Sequence, residues 1–252
     1  MPKKNVLGSA DSTRYLYANH QESGSANVAR TLTKYVNFQT LQARGDSANI
    51  VIKLMMACND LSLANQSLLE WKKELSRSKK PRQIGARMYF VRTQFAHLHE
   101  GMKVISEIKE CPVLMALVDR CDSKTQRSFQ ELEQFLHNGS TYDDFHKLVG
   151  CIMHNLTFHY DQSGRQIKQA ISDRAGRPEA RFSSVSRGDT AYLWHFKVAD
   201  DVVDSIVVRQ IWKIPRAADA RVEVDKISDQ LHQILLRFVD FSGEFIWKYC
   251  ES

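Results

Sequence analysis

The chain has 252 residues, 43% hydrophobic and 25% charged, and its 35 basic and 29 acidic side chains give a formal net charge of +6. That length suits one large helical domain or two small ones, and the apolar share is enough to build a core without help. No run of about 18 apolar residues suggests a membrane span, and Met1-Pro2-Lys3-Lys4 is not followed by the apolar stretch of a secretory signal, so a cytoplasmic protein without membrane contact is expected.

Cys58, Cys111, Cys121, Cys151 and Cys250 are an odd set with no Cys-x-x-Cys spacing. Neither a zinc ribbon nor a disulfide frame is indicated, and buried reduced thiols are expected. The small basic surplus permits a polyanionic partner without requiring one.

Residues 1–28 are polar and rich in Ser, Asn and Gly, which predicts a flexible arm ahead of a single helical domain over 29–252. A weak helical pattern runs from Val28 to Ala43 and stops at Gly45, after which Asp46 or Ser47 can cap a new helix. Ile50, Val51, Leu54, Met55 and Cys58 begin its apolar face, and Leu61, Ala64, Leu68, Trp71 and Leu75 continue it. Asn59-Asp60 either bends or divides this helix.

Lys72, Lys73, Lys79, Lys80, Arg82 and Arg87 then cluster around a turn at Pro81. They read either as a solvated helix end or as a surface for nucleic-acid phosphates. Ile84, Met88, Val91, Phe95, Leu98, Met102 and Ile105 repeat in four-three steps and predict a helix of about seven turns.

Cys111-Pro112 breaks that helix, because proline removes a donor and crowds the preceding turn. A short helix over Val113–Val118 comes next, then another from Ser123 to Leu136 that ends at Asn138-Gly139. Ser140 or Thr141 is placed to cap a helix that starts at Tyr142, with Asp143 and Asp144 in its first turn. Tyr142, Phe145, Val149, Ile152 and Leu156 form one apolar stripe that ends in an imidazole, His159.

Past Ser163-Gly164, a short amphipathic helix carries Ile167, Ala170 and Ile171. Residues 176–190 read as a long loop. Tyr192, Trp194 and Phe196 alternate with period two, suggesting one short strand or hairpin near 182–197. Ala199–Trp212 fits a helix stopped by Pro215. Val224, Ile227, Leu231, Ile234, Phe238, Phe241 and Phe245 then give a seam for helix-on-helix packing. The expected fold is an all-α multi-helix bundle.

The segment His154-Asn155-Leu156-Thr157-Phe158-His159-Tyr160 resembles the signature of the HEPN superfamily, small all-helical proteins in which a basic residue, usually Arg followed by Asn, precedes a His by five positions. The resemblance implies a metal-independent endoribonuclease with His159 as the catalytic imidazole, Asn155 as its polar partner and His154 in the cationic position. It also implies RNA as substrate, a homodimer, and a toxin or phage-defence setting with an antitoxin or other protein partner.

Here His stands where the family has Arg. Arginine is always charged and grips phosphate through two parallel donors, which histidine does not match. Residues five apart on a straight helix also point about 140° away from each other, so the helix breaks near Thr157 or two copies meet. His159 equally suits a hydrogen-bonded core position. The alternative function is a non-catalytic helical interaction protein acting through dimer or protein contacts. No Glu-x-x-His pair, His-Glu-x-x-His, phosphate-binding glycine loop or Gly-x-Ser-x-Gly is present, so neither a metal nor a cofactor is expected.

Overall fold

The apolar periodicity of three long helices decides the architecture: α2 (Asp46–Arg77), α3 (Pro81–Glu110) and α9 (Ala220–Tyr249). This computed structural model describes residues 32–77, 81–150, 152, 163–187, 189 and 195–251. The chain divides into two units, Met1–Val36 and Asn37–Ser252. In the second unit the remaining helices are α1 (Phe38–Ala43), α4 (Pro112–Val118), α5 (Ser123–Glu133), α6 (Tyr142–Phe145), α7 (Arg165–Ala175) and α8 (Lys197–Ser205). Two π-helical segments, His146–Gly150 and Ile206–Ile211, extend α6 and α8. The protein is an all-α multi-helix bundle, and among the described residues its sheet is limited to β1 (Val185–Ser186) and β2 (His195–Phe196). These two strands pair antiparallel, Val185 opposite Phe196 and Ser186 opposite His195.

Helices α2 and α3 form an antiparallel hairpin. Lys53 pairs with Glu107 at 2.8 Å, Gln94 donates to Asn65 at 3.1 Å, and His97 lies 3.7 Å from Asp60. Their facing stripes meet as Val51, Leu54, Leu61, Met88, Val91, Phe95, Leu98 and Ile105, all buried. The third long helix closes this hairpin. Its Phe238, Phe241 and Phe245 are fully buried, and Phe129 of α5 lies against Phe241 with ring centroids 5.0 Å apart. Each such ring contributes about 2–3 kcal/mol by leaving water. At the far end of α9, the Arg44 guanidinium sits 4.5 Å over the Tyr249 ring and donates to the Tyr249 carbonyl oxygen at 2.8 Å.

Several boundaries differ from the sequence expectation. Leu32–Asn37 is not helical, and α1 begins only at Phe38, where Asn37 Oδ1 accepts from the Gln39 amide at 2.8 Å. Asn59-Asp60 does not divide α2, which runs on through Leu61 and Ala64, buried like Leu54. Helix α5 ends at Glu133 rather than Leu136; Asn138 takes a left-handed φ of 69° and the chain turns back so that the Thr141 amide donates to the Gln134 carbonyl at 3.0 Å. Thr141 occupies the N-cap position of α6 but makes no capping bond, its hydroxyl donating instead to Gln134 at 2.8 Å. The expected cap function is therefore not used.

Gly101 of α3 faces Phe238 so closely that an added Cβ would lie 2.7 Å from the ring. Helix propensity alone would favour Ala here by about 1 kcal/mol, but overpacking against a fully buried ring costs about 1–3 kcal/mol. Gly101→Ala is therefore expected to lower the urea midpoint; a higher midpoint would show that Phe238 moves aside at no cost.

Candidate functional site

The stripe that leads toward His159 is built as its spacing predicts over its described part. Phe145, Val149 and Ile152 are buried, and Tyr142 is half-buried. The path is not a plain α-helix, however. It widens to π-helix over His146–Gly150, where the His146 ring folds over Gly150 so closely that a Cβ there would meet Nδ1 at 2.7 Å. The Trp212 indole, at the end of the second π segment, donates to the Leu148 carbonyl at 3.3 Å. π-Turns of this kind recur at functional sites because the extra residue re-aims the side chains downstream of it.

Imidazoles and a phenol gather on this approach. The His99 and His146 rings are 5.9 Å apart, Tyr142 stacks on His146 at 5.6 Å, and His137 meets Tyr142 edge-on at 5.3 Å. Burial, reinforced by the Lys103 ammonium, holds the His99 pKa below the ordinary imidazole value, so this ring stays neutral at physiological pH. His154, Asn155 and His159 themselves lie outside the described residues, as do Leu156 and Thr157. Of the basic cluster, Lys73 is exposed on α2. The side chains of Lys72, Arg82 and Arg87, and the whole of Lys79 and Lys80, lie outside the described part.

A second cluster has no motif to announce it. Beside the short hairpin, Asp201 of α8 accepts from Lys197 Nζ at 2.7 Å and from the Ser183 hydroxyl, and Arg174 of α7 lies 3.2 Å away. Burial alone would raise the Asp201 pKa, but the bonds from Lys197 and Ser183 and the Arg174 charge hold it below the usual carboxylate range. His195 of β2 is 2.9 Å from Asp200. These contacts tie β1–β2 and the loop before it onto α7 and α8. The only sequence signal was the run Asp200, Asp201 and Asp204, which helical spacing places on one side of α8.

Asp204 is the misfit in this group. Its Oδ1 is buried with no hydrogen-bond partner among the described residues, and burial, then the charges of Asp200 and Asp201, push its pKa up to about 6. A carboxyl that titrates there can give or take a proton near neutrality. Among the described residues no group of three or more His, Cys, Asp or Glu is arranged to hold a metal ion. No helix among them is long and apolar enough to cross a membrane.

Because the folded-state pKa of Asp204 exceeds its unfolded value, the buried acid costs nothing at low pH, and the penalty grows as pH rises from about 4 to above 6. Asp204→Asn should therefore match the wild type in stability near pH 4 and exceed it by on the order of 2–3 kcal/mol above pH 7. Urea unfolding of both proteins across this range checks it, and a difference independent of pH would remove the titration of Asp204 from the account. Comparison of the chain with protein-family models, with curated proteins and with solved structures finds no match.

Proposed function

We propose that the protein is an HEPN-like helical RNA-binding protein that cleaves RNA without a metal ion, acting as a homodimer. The observation that carries the reading is the run His154-Asn155-Leu156-Thr157-Phe158-His159, with a polar amide beside the first imidazole and the second imidazole five positions on. Support comes from the way the chain approaches this run. Phe145, Val149 and Ile152 are anchored in the core, and a π-turn precedes the motif.

In this reading neutral His159 takes the proton from a ribose 2′-hydroxyl, whose oxygen attacks the adjacent phosphorus. The bond to the 5′-oxygen breaks, leaving a 2′,3′-cyclic phosphate, and the departing oxygen takes a proton from the protonated imidazole of a second copy to become a 5′-hydroxyl. Protonated His154 holds the charge that builds on the phosphate, and Asn155 orients the group. A second copy supplies the companion imidazole, since on a straight helix residues five apart point about 140° away from each other. Lys72, Lys73, Lys79, Lys80, Arg82 and Arg87 would guide the RNA backbone.

The histidine at position 154 also supports a second reading, a non-catalytic protein that keeps the fold and its RNA or protein contacts but has lost the fixed charge of Arg. The two readings separate on one set of assays. Purified wild type should degrade RNA in the presence of EDTA, and His159→Ala should reduce the rate by about 100-fold or more. Equal degradation by both proteins counts against the nuclease, and salt-sensitive RNA binding with no cleavage favours the second reading.

The substitution of His for Arg sets a pH expectation too. Arginine stays charged at every working pH and grips phosphate with two donors, so His154→Arg should cleave faster than the wild type at pH 8, by about tenfold or more. Equal rates for the two proteins at pH 8 would take the phosphate-holding role away from His154.

A further inference from the structure

A cleft of about 590 Å³ opens between α7 and the π-helical segment Ile206–Ile211, and no part of the ribonuclease reading uses the residues that line it. Its walls carry Gln169, Ser172 and Asp173 from α7, Ser205 and Arg209 from α8 and its extension, and Arg216 from the turn before α9. We infer that this cleft binds a small sugar phosphate, with Arg209 and Arg216 on the phosphate and the amide and hydroxyl side chains on the sugar.

Three observations lead there. Ser205 is only 6% exposed, lines the cleft, and its hydroxyl has no hydrogen-bond partner among the described residues. A buried hydroxyl left without a partner is unfavourable, and turning this side chain toward a ligand oxygen in the cleft would satisfy it. Secondly, two guanidinium groups converge on the cavity. Arg209 is fixed by donating through Nη1 to the carbonyl oxygens of Ile214 at 2.7 Å and Pro215 at 2.9 Å, bonds that do not use its Nε and Nη2 donors. Arg216 pairs with Asp173, but its side chain is 67% exposed and Asp173 keeps a second partner in Arg177 at 3.4 Å. The bond to Asp173 uses Nη2 of Arg216, so its Nε and Nη1 can meet a phosphate with the pair intact, while the Asp173 carboxylate is placed to accept from a sugar hydroxyl.

Thirdly, the lining selects the rest of the ligand. Ile214 is the only large apolar side chain among the described residues of the wall, and no aromatic ring lines it, so a nucleobase finds nothing to stack on. Gln169, Gln210, Ser172 and Ser205 instead match a polyol.

The test is calorimetric titration of the full chain with ribose 5-phosphate, inorganic phosphate and unphosphorylated ribose. Ribose 5-phosphate should bind with a Kd of about 1 mM or tighter, and more tightly than either fragment. Arg216→Ala should weaken it by about tenfold or more, and Ser205→Ala by about fivefold. Ser205→Ala removes the orphaned hydroxyl, so the ligand-free variant should melt no lower than the wild type, which separates lost binding from lost folding. The His159→Ala protein should bind ribose 5-phosphate as the wild type does, so failure of the nuclease reading leaves this result intact. Displacement of ribose 5-phosphate by a short 5′-phosphorylated RNA, but not by its unphosphorylated form, would place the same sugar phosphate at a strand end. No saturable binding up to about 10 mM, or binding unchanged in both cleft variants, overturns the inference.

Discussion

Phe238 of α9 occupies the space that Gly101 leaves open on α3, and most of the structure depends on that close approach. A side chain at position 101 would displace the ring or the helix that carries it, since its Cβ would fall 2.7 Å from the ring. With the helices drawn together, Phe241 and Phe245 on the next turns are also sealed, and Phe129 brings α5 against the same seam. Interiors packed to crystal-like density do not absorb such a displacement locally. The position of α9 therefore fixes α5 on one side and the α2–α3 hairpin on the other.

Polar and charged groups are distributed differently. In the part built on α7, α8 and the short hairpin, side chains are joined by ions and hydrogen bonds: Asp201 with Arg174 and Lys197, His195 with Asp200, Asp173 with Arg177 and Arg216. Asp204 and Ser205 stand next to each other there with buried polar atoms that no described group satisfies. Natural cores leave few such atoms, and where they occur in adjacent residues they mark a place shaped by something other than folding alone. The aromatic seam is held by burial, and the polar flank by ion pairs and hydrogen bonds.

Both π-helical segments lie where these two regimes meet. His146–Gly150 carries the chain from the buried stripe toward the motif, and Ile206–Ile211 carries α8 from the charged cluster to the buried Trp212. The Trp212 indole bond to the Leu148 carbonyl links them directly, so each widened turn supports the other. A strict α-helix would place neither the carbonyl nor the indole in the same way, because the π-turn inserts one residue and rotates the chain beyond it.

The all-α class, the three long helices and the core faces they bury were legible in the amino-acid pattern, because three-four spacing of Leu, Ile, Val and Phe has one economical solution on a helix. The sequence also carried the motif around His159, through a short pattern of residue types. Folding was needed to show that α2 passes unbroken through Asn59-Asp60, that Thr141 makes no capping bond, and that π-turns extend α6 and α8. The same holds for Asp173 and Arg216, which are 43 residues apart in the chain and meet in one ion pair. Periodicity reports which face of an element is apolar. It says nothing of which distant element arrives to cover it, and buried polar partners are chosen by that arrival.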